Sequence, residues 1–169
     1  MIKKTFFLIL ILFQYLLTFS QVRESIININ DSELKLLINK AENGDADAQI
    51  ELGARYYNGY GVLKDYEKST YWTKKSAEQG LPDAQYALAI YYGSGSGVPK
   101  DIEKALYWFE KSALQENKHA QFQLGRMYFF GKGVMPDKKK GVTWIKKSMD
   151  NGSERAKKIW DEKKLWEYL

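Results

Sequence analysis

A unit of 36 residues is written three times in this chain without a gap, and no other feature restricts the fold as tightly. The copies run from Ala41 to Ser76, from Ala77 to Ser112 and from Ala113 to Ser148. Their columns coincide: Ala48, Ala84 and Ala120; Gln49, Gln85 and Gln121; Leu52, Leu88 and Leu124; Tyr56, Tyr92 and Tyr128; Trp72, Trp108 and Trp144. A fixed period of this kind marks a solenoid, in which one unit cannot bury its apolar face alone and does so against its neighbours.

Each copy reads as two helices. In the first, Ala48, Leu52 and Tyr56 recur at i, i+4 and i+8 and form one apolar face over about Asp45 to Tyr57. A Gly-x-Gly-Val turn follows at Gly59, Gly95 and Gly131, where glycine admits the positive φ that ends a helix. Asp65 is placed to cap the second helix by accepting hydrogen bonds from its free first-turn amides. That helix carries Ser69, Trp72 and Ser76. Gly80 turns the chain into the next copy, and Asn117 is expected to adopt the left-handed conformation at the corresponding turn of the third. Small residues (Ala48, Gly53, Ser76, Ala77) let the helices approach, and the Tyr and Trp columns are expected to fill the gaps between repeats as core.

These columns resemble the Sel1-like repeat, a relative of the tetratricopeptide repeat. The shared pattern is A-Q-x-x-L-G-x-x-Y-x-x-G-x-G-V, then Asp, Lys and Trp at fixed offsets. Departures are few: Ala89 stands where the other copies have Gly53 and Gly125, Ser69 and Gly141 replace the usual Ala, and Glu116 replaces Gly. The resemblance implies an all-α fold, an α/α solenoid of three repeats with capping helices at both ends. The expected layout is a signal peptide at 1–20, a leader at 21–32, an N-terminal capping helix at 33–40, repeats at 41–76, 77–112 and 113–148, and a C-terminal capping helix at 149–169. Leu36 is the expected counterpart of Trp72 in the first cap. Trp160, Leu165 and Trp166 are expected to shield the last repeat from one long helix beginning near Ser153.

The first twenty residues read as a targeting segment. Lys3 and Lys4 precede an apolar run from Phe6 to Leu17, and Thr18 and Ser20 supply small residues at a cleavage position. Cleavage after Ser20 implies a periplasmic or secreted protein with no further hold on the membrane. The alternative, an uncleaved span, requires a longer apolar run. With no Cys, the chain has neither a disulfide nor a thiolate metal site. Its formal charge of +5 falls to +3 without Lys3 and Lys4. That mild excess lacks the basic stripe of a nucleic-acid binder, so none is expected as a partner.

Nothing in the pattern calls for catalysis, a cofactor or a metal. His119 is the only histidine, and it occupies the solvent-facing column of Asp47 and Asp83. The Gly-x-Gly turns follow helices rather than strands and lack the Lys-Ser/Thr tail of a phosphate loop. Some Sel1-like proteins are linked to penicillin binding or β-lactam hydrolysis, and Ser32-Glu33-Leu34-Lys35 matches the S-x-x-K string of serine β-lactamases. Ten Ser and 22 Lys make about one such string expected by chance, and no K-T-G or S-D-N element accompanies it.

Binding is then expected where the fold leaves columns free to vary. Opposite the Leu–Tyr stripe of the first helix lie the columns Asp47, Asp83, His119; Glu51, Ala87, Gln123; Ala54, Ile90, Arg126; and Asn58, Ser94, Phe130. If the hairpins stack as in tetratricopeptide arrays, these columns line a groove. It would be acidic near the first copy and basic-aromatic near the third. Asp47, Glu51, Asp83, Ala87, Ile90, Gln123, Arg126 and Phe130 are the candidate partner-binding residues, with Ile90, Arg126 and Phe130 as hot spots. For Ile90 and Phe130, packing on neighbouring helices is the competing reading. The expected function is an exported, non-enzymatic adaptor that binds a peptide or protein partner. A cell-wall ligand binder or β-lactam-acting protein, and an inhibitor or immunity-type binder, are the alternatives.

Overall fold

The computed structural model describes residues 31–168. The expected signal peptide and most of the expected leader lie outside them. The described residues are all-helical. Helix α1 covers 31–42. Three hairpins follow: α2 (Ala46–Asn58) with α3 (Tyr66–Glu78), α4 (Pro82–Ser94) with α5 (Ile102–Leu114), and α6 (Lys118–Phe130) with α7 (Lys138–Asp150). The array closes with α8 (Glu154–Glu162) and a 3₁₀ turn, Leu165–Tyr168.

Local sequence sets these boundaries. Asp45 caps α2 by accepting from the Ala48 amide. Asp65, Asp101 and Asp137 do the same for α3, α5 and α7 through the amides of Lys68, Lys104 and Lys140, at 2.8–2.9 Å. The backbone N–H groups of these three aspartates donate to the carbonyls of Tyr56, Tyr92 and Tyr128, which closes each intrahairpin loop. Gly59, Gly95 and Gly131 end the first helices in the left-handed region, as expected. The second glycine of the later two turns has a further role. A Cβ on Gly97 would run into the Tyr66 carbonyl, and one on Gly133 into Ile102, so these loops lie directly on the preceding repeat.

Between repeats two and three the expected turn is corrected. Asn117 is not left-handed: it has φ −63° and caps α6, accepting from the amides of His119 and Ala120. Glu116 takes the positive φ, 63°, that Gly44 and Gly80 carry in the other copies. Asn serves better as an N-cap than as a turn residue here, because its side-chain oxygen satisfies two free amides.

The core is a stack of small layers. Leu52, Leu88 and Leu124 are almost wholly buried, as are Ala84 and Ala120. In the second helices the buried column is not Trp but the residue after it: Thr73, Phe109 and Ile145. Trp72, Trp108, Trp144 and the Tyr56 column are half-buried and pack on the margins of the clusters. The ammonium groups of Lys68, Lys104 and Lys140 lie over the three Tyr rings at 5.4, 5.5 and 3.9 Å.

A polar ladder runs through this core. Ser76, Ser112 and Ser148 donate to the carbonyls of Ala46, Pro82 and Lys118, tying the end of each second helix to the start of its first. Gln49, Gln85 and Gln121 donate to the carbonyls of Ala41, Ala77 and Ala113 at the ends of the preceding helices α1, α3 and α5. They accept in turn from Gln79, Gln115 and Asn151. The invariant Ser column is therefore the buried polar group that closes each hairpin and the Gln column the one that ties it to the helix before, since each would carry a desolvation penalty if unpaired.

The caps differ from expectation in detail. Leu37, not Leu36, is the buried residue of α1; Leu36 is 58% exposed. At the other end the long helix breaks after Glu162, where Lys164 has φ 47°. Trp160 and Leu165 then cover Val142, Ile145 and Ala156, while Trp166 is left exposed.

Candidate functional site

The eight candidate residues share the outward side of the first helices but do not form one surface. Asp47, Glu51 and Asp83 are exposed. Glu51 is engaged by Arg55 on its own helix at 2.8 Å. Asp83 accepts from the Asn117 side chain at 2.7 Å and so bridges α4 to the start of α6. Ala87 is half-buried. Phe130 is exposed and sits edge-on to Phe129, with ring centroids 4.9 Å apart.

Ile90, Gln123 and Arg126 are brought together. They stand at the mouth of a cavity of about 460 Å³ between the second and third repeats. Its floor is Ala89 of α4 with Ala105 and Phe109 of α5. Met127 of α6 and Ile102 of α5 form its walls, and Lys132 and Gly133 of the third loop form its lip. The interior is apolar; both charges belong to the mouth. The Arg126 guanidinium touches only the Gln123 carbonyl oxygen, at 3.4 Å, and lies 5.7 Å from the Phe122 ring centroid. No carboxylate among the described residues pairs with Arg126 or Lys132. A larger opening, about 770 Å³, lies between α1 and α2, but polar groups line it and its Arg55 is already neutralised by Glu51.

One residue lining the smaller cavity gives no signal when each copy is read separately. Gly93 lies in α4 where the other copies have Tyr57 and Phe129. Aligning that column would have shown a missing aromatic. Tyr57 stacks on Tyr91 at 5.3 Å and meets Tyr66 edge-on at 5.2 Å, filling the same space between repeats one and two. Phe129 packs into the Val142–Leu165 cluster and against Tyr168.

Around Tyr57 the packing is polar in a way unique to the first interface. Tyr91 is buried and accepts from Ser69 at 3.0 Å; burial pushes its phenol above the usual tyrosine range. Ser69 and Thr73 occupy columns that hold Ala105 and Phe109 in the next copy, and all four are buried.

The chemistry-bearing candidates stay apart. His119 is exposed, with its ring 5.8 Å from that of Tyr86. Ser32 and Lys35 are exposed on α1, and Lys35 is paired with Asp31 at 2.6 Å. No cluster of three or more His, Asp or Glu able to hold a metal occurs among the described residues. None of the described helices is long and apolar enough to cross a membrane.

A stack of antiparallel helix pairs with an apolar cleft between repeats defines an α-helical repeat protein. The model of the Sel1 repeat matches residues 46–81, 82–117 and 118–153. The chain belongs to the Sel1 repeat family, whose members generally serve as protein-interaction scaffolds. It is similar to a Sel1 repeat protein from Oxalobacter formigenes, with 38% identity, a TM-score of 0.71, and coverage of 77% of this chain and 98% of that one. A protective antigen present in uropathogenic Escherichia coli strains, displaying an SLR fold, is 41% identical with a TM-score of 0.71 over 73% of this chain. The alignment spans 26% of that larger protein. Helicobacter pylori cysteine rich protein B shares the fold at 22% identity and a TM-score of 0.61, covering 79% of this chain and 96% of that one. No curated protein matches the chain.

Proposed function

We propose that this chain is an exported adaptor that receives a peptide or loop of a partner protein on the outward face of its first helices, at the junction of repeats two and three. The observation that carries this reading is the apolar cleft with Ile90, Gln123 and Arg126 at its mouth. A packed array that has closed its other repeat junctions with aromatic rings has left this one open. Its neighbours on the same face, Asp47, Glu51 and Asp83, supply polar surface on one side and Phe130 an exposed ring on the other. Aromatic and arginine groups of this kind supply much of the energy of protein interfaces. Export is supported by Lys3, Lys4 and the apolar run from Phe6 to Leu17.

The test is a crosslinking pull-down from the exported fraction. It compares the wild type with an Ile90→Glu/Arg126→Glu/Phe130→Ala variant shown to be folded by circular dichroism. One protein captured by the wild type and lost by the variant supports the adaptor and its face. Equal capture by both moves the site to the second helices or the loops. No protein captured by either turns attention to a small-molecule or glycan ligand. Detection of the chain only inside the cell, with residues 1–20 intact, overturns export.

A further inference from the structure

We infer that the space left by Gly93 is a seat for one aromatic side chain, delivered by an acidic segment of the partner protein. This rests on the adaptor reading and names the chemistry of its occupant.

The first argument is the repeat itself. The same position is filled from within by Tyr57 between the first two repeats and by Phe129 between the third repeat and the C-terminal cap. At the middle junction the residue is glycine, and the vacated volume is a cavity of about 460 Å³, within the usual size range of ligand clefts. Its floor and walls are Ala89, Ala105, Phe109, Ile102 and Met127, an apolar lining suited to a ring.

The second argument is that packing does not require this glycine. At Gly53, Gly125 and Gly141 an added Cβ would approach backbone or side-chain atoms of the facing helix to between 2.5 and 2.9 Å, so glycine is needed for the helices to meet. At Gly93 an added Cβ meets only the Ala105 Cβ, at 3.8 Å. Gly93 lies in the last turn of α4, and a helical glycine without a steric reason favours the unfolded chain with no return within the fold. An incoming side chain supplies the return.

The third argument is charge. Arg126 and Lys132 stand at the opening without carboxylate partners among the described residues, and no Asp or Glu lines the cavity. A partner that places Asp or Glu one or two positions from its aromatic residue would bury the ring and pair both cations.

The test selects peptides from a random dodecamer display library on the purified chain and measures their affinity by fluorescence anisotropy. Enriched peptides are expected to share Phe, Tyr or Trp beside Asp or Glu. Gly93→Phe restores an internal ring, and it should weaken these peptides at least tenfold while melting no lower than the wild type. Gly93→Leu serves the same purpose should the larger ring disturb folding. Arg126→Glu/Lys132→Glu should weaken the acidic peptides by a similar factor. Peptides without an aromatic residue, aromatic peptides bound equally well by both Gly93 variants, or no enrichment at all would each overturn the inference. So would concentration-dependent dimerisation of the wild type that Gly93→Phe abolishes, which would make the occupant a second copy. Binding lost in Ile90→Glu but kept in both Gly93 variants removes the aromatic seat and leaves the adaptor face. Binding kept in all of them removes both.

Discussion

Gly93→Ala and Gly125→Ala make the same chemical change inside first helices of adjacent repeats, and they should move stability in opposite directions. Replacing a helical glycine by alanine gains up to ~1 kcal/mol through the unfolded chain and helix propensity, and the unfolded-chain part acts even in the last turn of α4, where Gly93 lies. At Gly93 that gain is free to appear, because the new methyl makes only an ordinary contact with Ala105 at 3.8 Å. At Gly125 the methyl would stand 2.6 Å from Ile145 Cγ1 and 2.9 Å from both the Gly141 carbonyl oxygen and the Ile145 amide. Two of those three are backbone, so α6 and α7 would have to separate. Overpacking of this kind costs ~1–3 kcal/mol. The expected outcome is a gain of about 0.5–1 kcal/mol for Gly93→Ala and a net loss of about 1–2 kcal/mol for Gly125→Ala. For a domain of this size that corresponds to melting shifts of roughly +2 to +4 °C and −3 to −8 °C. Urea denaturation followed by far-ultraviolet circular dichroism measures both, with unchanged m-values as the condition that the array still unfolds as one unit. Shifts of the same sign, or a destabilised Gly93→Ala, would refute the claim that the second junction is underfilled.

Two further perturbations probe the first junction and the helix caps. Tyr91→Phe removes the acceptor of Ser69, which is fully buried, and should cost about 1–3 kcal/mol in urea denaturation. Adding Ser69→Ala, the residue that α5 carries at Ala105, should recover most of that loss, and a strictly additive double-mutant cycle would show the pair uncoupled. Asp65 and Asp101 are held below the usual carboxylate range, first by the amides of Lys68 and Lys104. A depressed folded-state pKa contributes stability that is present above the unfolded value of about 3.9 and is lost as pH falls through the folded one. Asp65→Asn/Asp101→Asn keeps both caps without titrating, so its urea midpoint should fall less than that of the wild type between about pH 5 and pH 2. Parallel acid profiles would show that these caps do not couple protonation to folding.

The repeat, the helix pairs, the glycine stops and the aspartate caps are legible in the sequence because each is a local effect. A glycine ends a helix, and an aspartate satisfies the amides beside it, whatever lies across the core. Periodicity then carries that local reading from copy to copy, and three aligned copies are enough to establish an α/α solenoid. What lies between copies is less accessible. The Gln and Ser columns stand out as invariant, yet Ser76 reaches the Ala46 carbonyl and Gln49 accepts from the Gln79 amide across 30 positions, between groups that only the folded hairpins bring near. A one-residue phase decides whether Trp72 or Thr73, and Leu36 or Leu37, meets the core; helical spacing alone leaves both within the same arc.

The candidate face was legible as a face and not as a site. Its eight residues follow from the angle opposite the Leu–Tyr stripe, and that angle is a property of one helix. Which of them share a cavity depends on what the adjoining elements place there: Phe109 below, Ile102 and Met127 beside, Gly133 at the lip. The sequence alone determined that this chain must stack helix pairs and that most of its aromatic residues serve the stack. Only the tertiary structure decided that one junction is left unfilled, because a missing side chain becomes a cavity only when its neighbours are already held too rigidly by their own packing to collapse into it.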